Sequence, residues 1–405
     1  MDKSIKSSYN RWTPVIAGIA IQLCLGTAYI WGVFQPEVIK LLKYNNQDAG
    51  MTFALLLGVL TFGSTIGGLI QAKFSPKPVL IIGGLTLALG FFLASFATAE
   101  PWTLWVTYGI IGGFGMGITY TTTISVCQKW FPDKRGLITG LIVSALGFGG
   151  LVFTPIANSL IASTGVLHTF GWLSLIFIIV TVAGAMFIKN PPVDYKPEGW
   201  TPPAKKESAI HVQDFTPLQV LKTPQFYMVT VALMLATAAG LMVINYAKTL
   251  GLEKGLTVAV ATSGVMVISA FNSFGRLFWG WTSDRLGRRN TLLLLLLLAG
   301  TTILFVNMAS SSLILVLIAI VGFSYGGFLG VFPALTADFW GVKNVGVNYG
   351  MVLLGFGAGA VISLRFAGYF KDLTGGLVVP FIAASIAAYA GAVLIFLLRN
   401  PKLKS

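Results

Sequence analysis

Two arginines stand inside long apolar runs: Arg276 within Val258 to Trp281, and Arg365 within Gly346 to Phe370. Arginine stays charged at any physiological pH. At the centre of a bilayer it costs at least ~2.5 to 3.5 kcal/mol unless it meets water or an anion. Asn272 lies one helical turn before Arg276 on the same face, Gly275 leaves room beside it, and a guanidinium can hold a carboxylate through two parallel hydrogen bonds. The bland alternative is snorkelling, because Arg276 lies about two turns from one end of its run. Arg365 lies about five residues from the end of its own run, and there snorkelling is the expected reading. No carboxylate answers these charges at the same depth, since all 13 acidic residues fall in loops or at the ends of apolar runs. That argues against a site for organic cations and against the usual carboxylate proton relay.

The other polar side chains in apolar runs are mostly hydroxyls. Tyr120, Thr121, Thr122, Thr123 and Ser125 form one cluster. The Tyr120 hydroxyl can donate to a carboxylate, whereas the threonines are expected to bond to backbone or neighbouring helices. Cys24 and Cys127 sit in apolar runs, and His168 and His211 have no partner at ligand spacing. Neither a disulfide framework, a zinc site nor a hydrolytic triad follows, so no enzyme and no cofactor is expected. The run Gly147-Phe148-Gly149-Gly150 lacks a phosphate-loop lysine and reads as helix packing.

The elements that must hold these residues are membrane helices. Of 405 residues, 55% are hydrophobic and only 10% charged, too few charges for a soluble surface. Stretches long enough to cross a ~30 Å hydrocarbon core number twelve. Six are Trp12 to Phe34, Met51 to Ala72, Pro78 to Ala97, Trp102 to Val126, Leu137 to Ile161 and Thr169 to Ile188. The other six are Gln225 to Leu250, Val258 to Trp281, Thr291 to Ala309, Leu313 to Phe339, Gly346 to Phe370 and Leu377 to Leu398. This predicts an all-α membrane protein with a six-helix bundle over 1–188, a polar, proline-rich linker over 189–224 and a second six-helix bundle over 225–405. Within the linker, Val212 to Lys222 could form a short surface helix. The first apolar run is too long for a signal-peptide core and is expected to be retained.

Charge sets the orientation. With both termini inside, 20 of the 27 Lys and Arg lie on the cytoplasmic side, as positively charged loops are retained there. The net charge of +14 is therefore topological and calls for no nucleic acid. A multi-pass protein of the cell membrane is expected, with the lipid bilayer as its surroundings and function as a monomer.

The two halves repeat a short basic turn between their second and third helices. The second copy reads Gly280-Trp281-Thr282-Ser283-Asp284-Arg285-Leu286-Gly287-Arg288-Arg289, and the first reads Gly68-Leu69-Ile70-Gln71-Ala72-Lys73-Phe74-Ser75-Pro76-Lys77. Gly280 lets helices approach, and Asp284 can pair with Arg285 or Arg288 or cap a neighbouring helix, with Gly287 in the turn; such a device can latch one conformation. The run Gly-x-x-x-Asp-Arg-x-Gly-Arg-Arg, two six-helix halves and a long central loop resemble the major facilitator superfamily over the whole chain. Ala72 stands where the first copy should carry an acid, so a latch on that side should be weaker or built differently. Asn10-Arg11-Trp12, Trp130-Phe131-Pro132-Asp133-Lys134-Arg135-Gly136 and Thr223-Pro224-Gln225-Phe226 narrow the resemblance to the oxalate/formate antiporter family, relatives of the monocarboxylate transporters.

The resemblance implies a carrier for small carboxylates. It matches Arg276 to the family's substrate-binding arginine, and Tyr120, Tyr29, Tyr325 and Leu146 to positions that line its site. Phe332 lies in a helix that lines the family's cavity. The second cation of the oxalate antiporter aligns, from Asn348-Tyr349-Gly350, with Phe356. One central charge beside an apolar wall suits a monoanion. The expectation is therefore a secondary carrier of monocarboxylates such as L-lactate or pyruvate, with a proton as coupling ion. Related monocarboxylate transporters have an aspartate where Asn272 stands, which leaves the proton's seat open. Exchange of carboxylate anions, as of oxalate for formate, is the alternative. A transporter-like carboxylate sensor would bind without flux, and signalling would need a docking domain that the spans do not supply.

Overall fold

The computed structural model describes residues 9–192, 195–197, 214–309 and 313–401. Among them twelve long helices appear and no strand. They are α1 (Thr13–Leu42), α2 (Asn46–Lys73), α3 (Pro76–Ala94), α4 (Trp102–Trp130), α5 (Arg135–Thr164) and α6 (Val166–Met186) in the first half. The second half holds α7 (Pro224–Glu253), α8 (Val258–Leu286), α9 (Arg288–Met308), α10 (Leu313–Trp340), α11 (Val345–Thr374) and α12 (Val378–Leu397). Eleven of them are long and apolar enough to cross a membrane over their described residues. The twelfth, α8, is described only in part, and its sequence from Val258 to Gly275 carries no charged residue.

An even number of crossings puts the first and last helices' outer ends on one face, called here the terminal face. The described part of the predicted Val212–Lys222 surface helix is the single turn Pro217–Leu221, started by a reciprocal cap between Thr216 and Gln219; Val212 and Gln213 lie outside the described residues. Just before it, Phe215 N–H donates to Trp340 O, and Asn344 Nδ2 donates to Phe215 O. The end of the linker is thereby fixed to the α10–α11 corner.

The first helix runs eight residues past its expected end at Phe34, to Leu42. Gln35, Pro36 and Glu37 read as a stop, yet Pro36 removes only one N–H and the helix continues until Lys43 takes a left-handed φ of 61°. Glu37 consequently stands inside the outer part of α1 and not beyond it. A five-residue stretch of tighter 3-10 geometry, Gly26–Ile30, interrupts α1, and it falls where α1 crosses α5 through Gly26 and Gly149.

Small residues set the helix spacing, as expected where packing and not water drives association. A Cβ on Gly149 would lie 2.3 Å from Leu23 O and 2.6 Å from Gly26 Cα, contacts with backbone that cannot yield. One on Gly150 would find nothing closer than 3.7 Å. Gly149→Ala is therefore expected to cost about 1 to 3 kcal/mol and Gly150→Ala less than about 0.5 kcal/mol. Detergent melting curves followed by size-exclusion fluorescence would show the first variant shifted down and the second unshifted; equal shifts would contradict this account of the crossing.

Candidate functional site

Most of the residues singled out by their chemistry border one cavity between the halves or a small chamber beneath it. The cavity measures about 730 Å³, and its lining runs from Arg276, Asn272 and Tyr325 outward past Tyr29 and Trp31 to Gln35 and Thr154. Since α1 and α5 run away from the terminal face, the cavity lies toward the opposite face. Beneath it is a chamber of about 30 Å³, bordered by Arg276, Tyr29 and Tyr120 and otherwise by Ala28, Leu57, Leu60, Met116, Leu146, Leu329, Leu353 and Phe356. That is room for about two water molecules.

Arg276 is 1% exposed and does not snorkel to the terminal face. Its Nε donates to Asn272 Oδ1 at 2.9 Å, its Nη1 to Val143 O at 2.8 Å and its Nη2 to Tyr29 Oη at 3.3 Å. Helical spacing explains the first bond, since residues four apart share a face. All three partners are neutral. Three of the five guanidinium N–H groups are used, which leaves two donors and a whole positive charge at the junction of cavity and chamber. A carboxylate would complete both.

Tyr120 is buried and borders the chamber, with its hydroxyl oxygen 3.5 Å from that of Tyr349 on α11. Tyr325 lines the larger cavity, Leu146 the chamber, and Phe356 both. Phe332 is not brought to the site: it is fully buried and borders neither space. Seven residues beyond Tyr325, it lies about 10 Å further along α10 toward the terminal face. Thr121 bonds to Ser64 O of α2 and Thr123 to Thr119 O of its own helix, while Thr122 Oγ1 has no partner among the described residues. Arg365 is exposed, and nine residues from Phe356 puts it about half a turn round α11, away from the site. Sequence reading passed over Ser269 and Ser273, which line the cavity. Their spacing with Asn272 and Arg276 is the polar stripe of one helix face, so the signal was available.

On the terminal face the halves are latched by charge. The N–H groups of Gly136 and Leu137, at the start of α5, both donate to the Asp284 carboxylate at 2.9 Å, where a negative charge also meets the helix dipole. Arg288 pairs with Asp284 at 2.6 Å and with Asp338 at 2.8 Å, and Arg135 pairs with Asp338 at 2.8 Å. Gly280 makes room, since a Cβ there would lie 2.4 Å from Gly136 O. Gly287, with φ 82°, turns the chain between α8 and α9. Arg285 takes no part; it lies over the Trp281 ring at 4.1 Å.

A cavity between two six-helix halves, closed by an acid-and-arginine latch at one end, has a counterpart among known sequences. The profile of the Major Facilitator Superfamily matches residues 16–278 and 240–405. The chain belongs to that superfamily. It is 32% identical to YhjX, an uncharacterised MFS-type transporter of Escherichia coli K12, over 354 residues that make up 87% of this chain and 86% of YhjX. It is 28% identical to the oxalate:formate antiporter of Oxalobacter formigenes, over 94% of this chain and 91% of that one. The fold matches the fucose:proton symporter FucP of E. coli with a TM-score of 0.73 at 15% identity, covering 95% of this chain and 98% of FucP. It is a membrane transporter by family.

The latch makes a specific expectation. Replacing Asp284 by alanine removes an ion pair and two caps together, a loss of about 1 to 3 kcal/mol. In a chain whose buried Cys24 and Cys127 are changed to alanine, a cysteine at the fully buried Ile138 of α5 should then react roughly ten-fold faster with a water-soluble maleimide. Unchanged labelling would mean that Asp284 does not hold the α5–α8 seam closed.

Proposed function

We propose that this protein carries small monocarboxylates, L-lactate, pyruvate or similar, by alternating access with proton symport. The observation that carries the reading is Arg276, a buried cation with only neutral partners and two free donors facing the space between the halves. A carboxylate placed there takes the two donors and cancels the charge, and Tyr29 and Tyr120 can each donate one more hydrogen bond. Eight apolar side chains line the rest of the chamber, which suits the carbon end of a monoanion. A second carboxylate would face Phe356 with nothing to pair with, at a cost of several kcal/mol.

Loading changes what the halves must bury when they close over the site. Empty, they enclose an unpaired guanidinium; loaded, they enclose a neutral pair. The bound anion thus lowers the barrier to rocking by differential interaction with the occluded state. For symport, the proton must travel with the substrate or through water beside the tyrosine hydroxyls.

Anion exchange is the second reading, and a separate observation favours it. Among the described residues lining either space there is no Asp, Glu or His, so a fixed positive charge with no titrating neighbour would return fastest when reloaded with another anion. Its name makes the 28% identical relative an antiporter of oxalate and formate.

Uptake of radiolabelled L-lactate into proteoliposomes tests both. Symport predicts stimulation by an inward proton gradient, reduced at least a hundred-fold in Arg276→Ala and only partly restored in Arg276→Lys, which lacks the planar fork. Exchange predicts indifference to the gradient and dependence on anion preloaded inside. Lactate flux retained in Arg276→Ala would overturn the assignment of the site.

A further inference from the structure

The terminal face is closed along two seams, α5 against α8 and α2 against α11, and the two share one register. Gly280 and Gly68 occupy the same place: a Cβ on Gly280 would lie 2.4 Å from Gly136 O, and one on Gly68 would lie 2.4 Å from Gly346 C. Three residues on, Ser283 and Gln71 meet Gly136 and Gly346 in turn. Four residues further along α5 and α11, a Cβ on Gly140 would lie 2.4 Å from Arg276 O and one on Gly350 would lie 2.8 Å from Ser64 O. The corners agree as well, since Trp130 precedes Gly136 by the same interval as Trp340 precedes Gly346.

Register this close identifies a counterpart for every charged group of the latch. Ala72 stands for Asp284, Pro76 for Arg288, Val345 for Arg135 and Gln128 for Asp338. All four charges of the α5–α8 seam are replaced by neutral residues in the α2–α11 seam. Neither helix is capped by its own N-cap side chain, but two N–H groups at the start of α5 donate to the Asp284 carboxylate. Among the described residues the charged seam leaves Arg135 Nε without a hydrogen-bond partner, and the neutral seam leaves Gln71 Nε2, Thr122 Oγ1 and Asn348 Oδ1. Closing this seam takes those atoms from water without return, whereas opening it hydrates them.

We propose that the terminal face, cytoplasmic by the Lys and Arg count, parts at the α2–α11 seam while the α5–α8 seam stays together as the hinge side. The release route then runs past Gln71, Thr122, Ser125 and Asn348, directly below the Tyr120 and Tyr349 hydroxyls. The proposal rests on the alternating-access reading but not on the identity of the substrate.

Spin labels test it on the full chain in nanodiscs. With Cys24 and Cys127 replaced by alanine, one doubly labelled chain carries Lys73→Cys with Lys343→Cys across the α2–α11 seam. Another carries Lys134→Cys with Leu286→Cys across the α5–α8 seam. All four positions are exposed. Distances are measured first with no carboxylate and then with L-lactate, so that failure of lactate as substrate leaves the first measurement standing. The expected result is a longer component across α2–α11 and a single distance across α5–α8. Ala72→Asp, which supplies the missing cap, should reduce the longer component five- to ten-fold, and Ala72→Asn should do so to a smaller extent if the aspartate chain does not fold. Equal lengthening across both seams, lengthening confined to α5–α8, or no response to either Ala72 variant would overturn the proposal.

Discussion

Everything in the centre of this protein is arranged around one guanidinium that has no counter-ion. Elsewhere its buried or half-buried arginines are paired with acids: Arg11 with Asp133, Arg135 with Asp338, and Arg288 with Asp284 and Asp338. Arg276 has an amide, a carbonyl and a phenol instead. Dipoles of this kind hold the group in position without neutralising it, which makes the folded protein itself incomplete in charge. In the proposed function the missing partner is the substrate anion, and transport follows from the need to supply it.

Holding such a group in place demands a rigid surround, and the sequence invests in it. Glycine crossings bring α5 against both α1 and α8, so that Tyr29, Val143 and Arg276 approach from three helices. The same economy governs the terminal face, where the backbone geometry of one seam is repeated in the other with different chemistry. Duplicated structure with unequal charge is what permits one side to act as hinge and the other as door.

Much of this was legible in the residues. The twelve helices follow from apolar runs, and Arg276 with Asn272 stands out because a charge in such a run must have a reason. The latch was visible as a motif, although its main work, capping the start of α5, depends on a helix almost 150 positions away and could not be read from spacing. Phe332 misled because helical periodicity fixes the face of a residue but not its depth: it shares a face with Tyr325 yet lies two turns beyond it toward the terminal face. The end of α1 misled because a single proline and two polar residues resemble a boundary when the helix in fact continues. Tyr349 served only to anchor an alignment; that its hydroxyl reaches Tyr120 is a consequence of α4 and α11 meeting, which no local pattern records.

The 3-10 stretch in α1 has an effect on the shape of the cavity wall. Each of its five residues advances about 120° round the axis where an α-helix advances about 100°, so the outer part of α1 is turned by roughly a quarter of a circle relative to a continuous helix. Tyr29, Trp31, Gly32 and Gln35, at the end of that stretch and beyond it, all border one space. A single helix thereby serves as a spiral stair: its lower tread meets the arginine, and its upper treads line the way in.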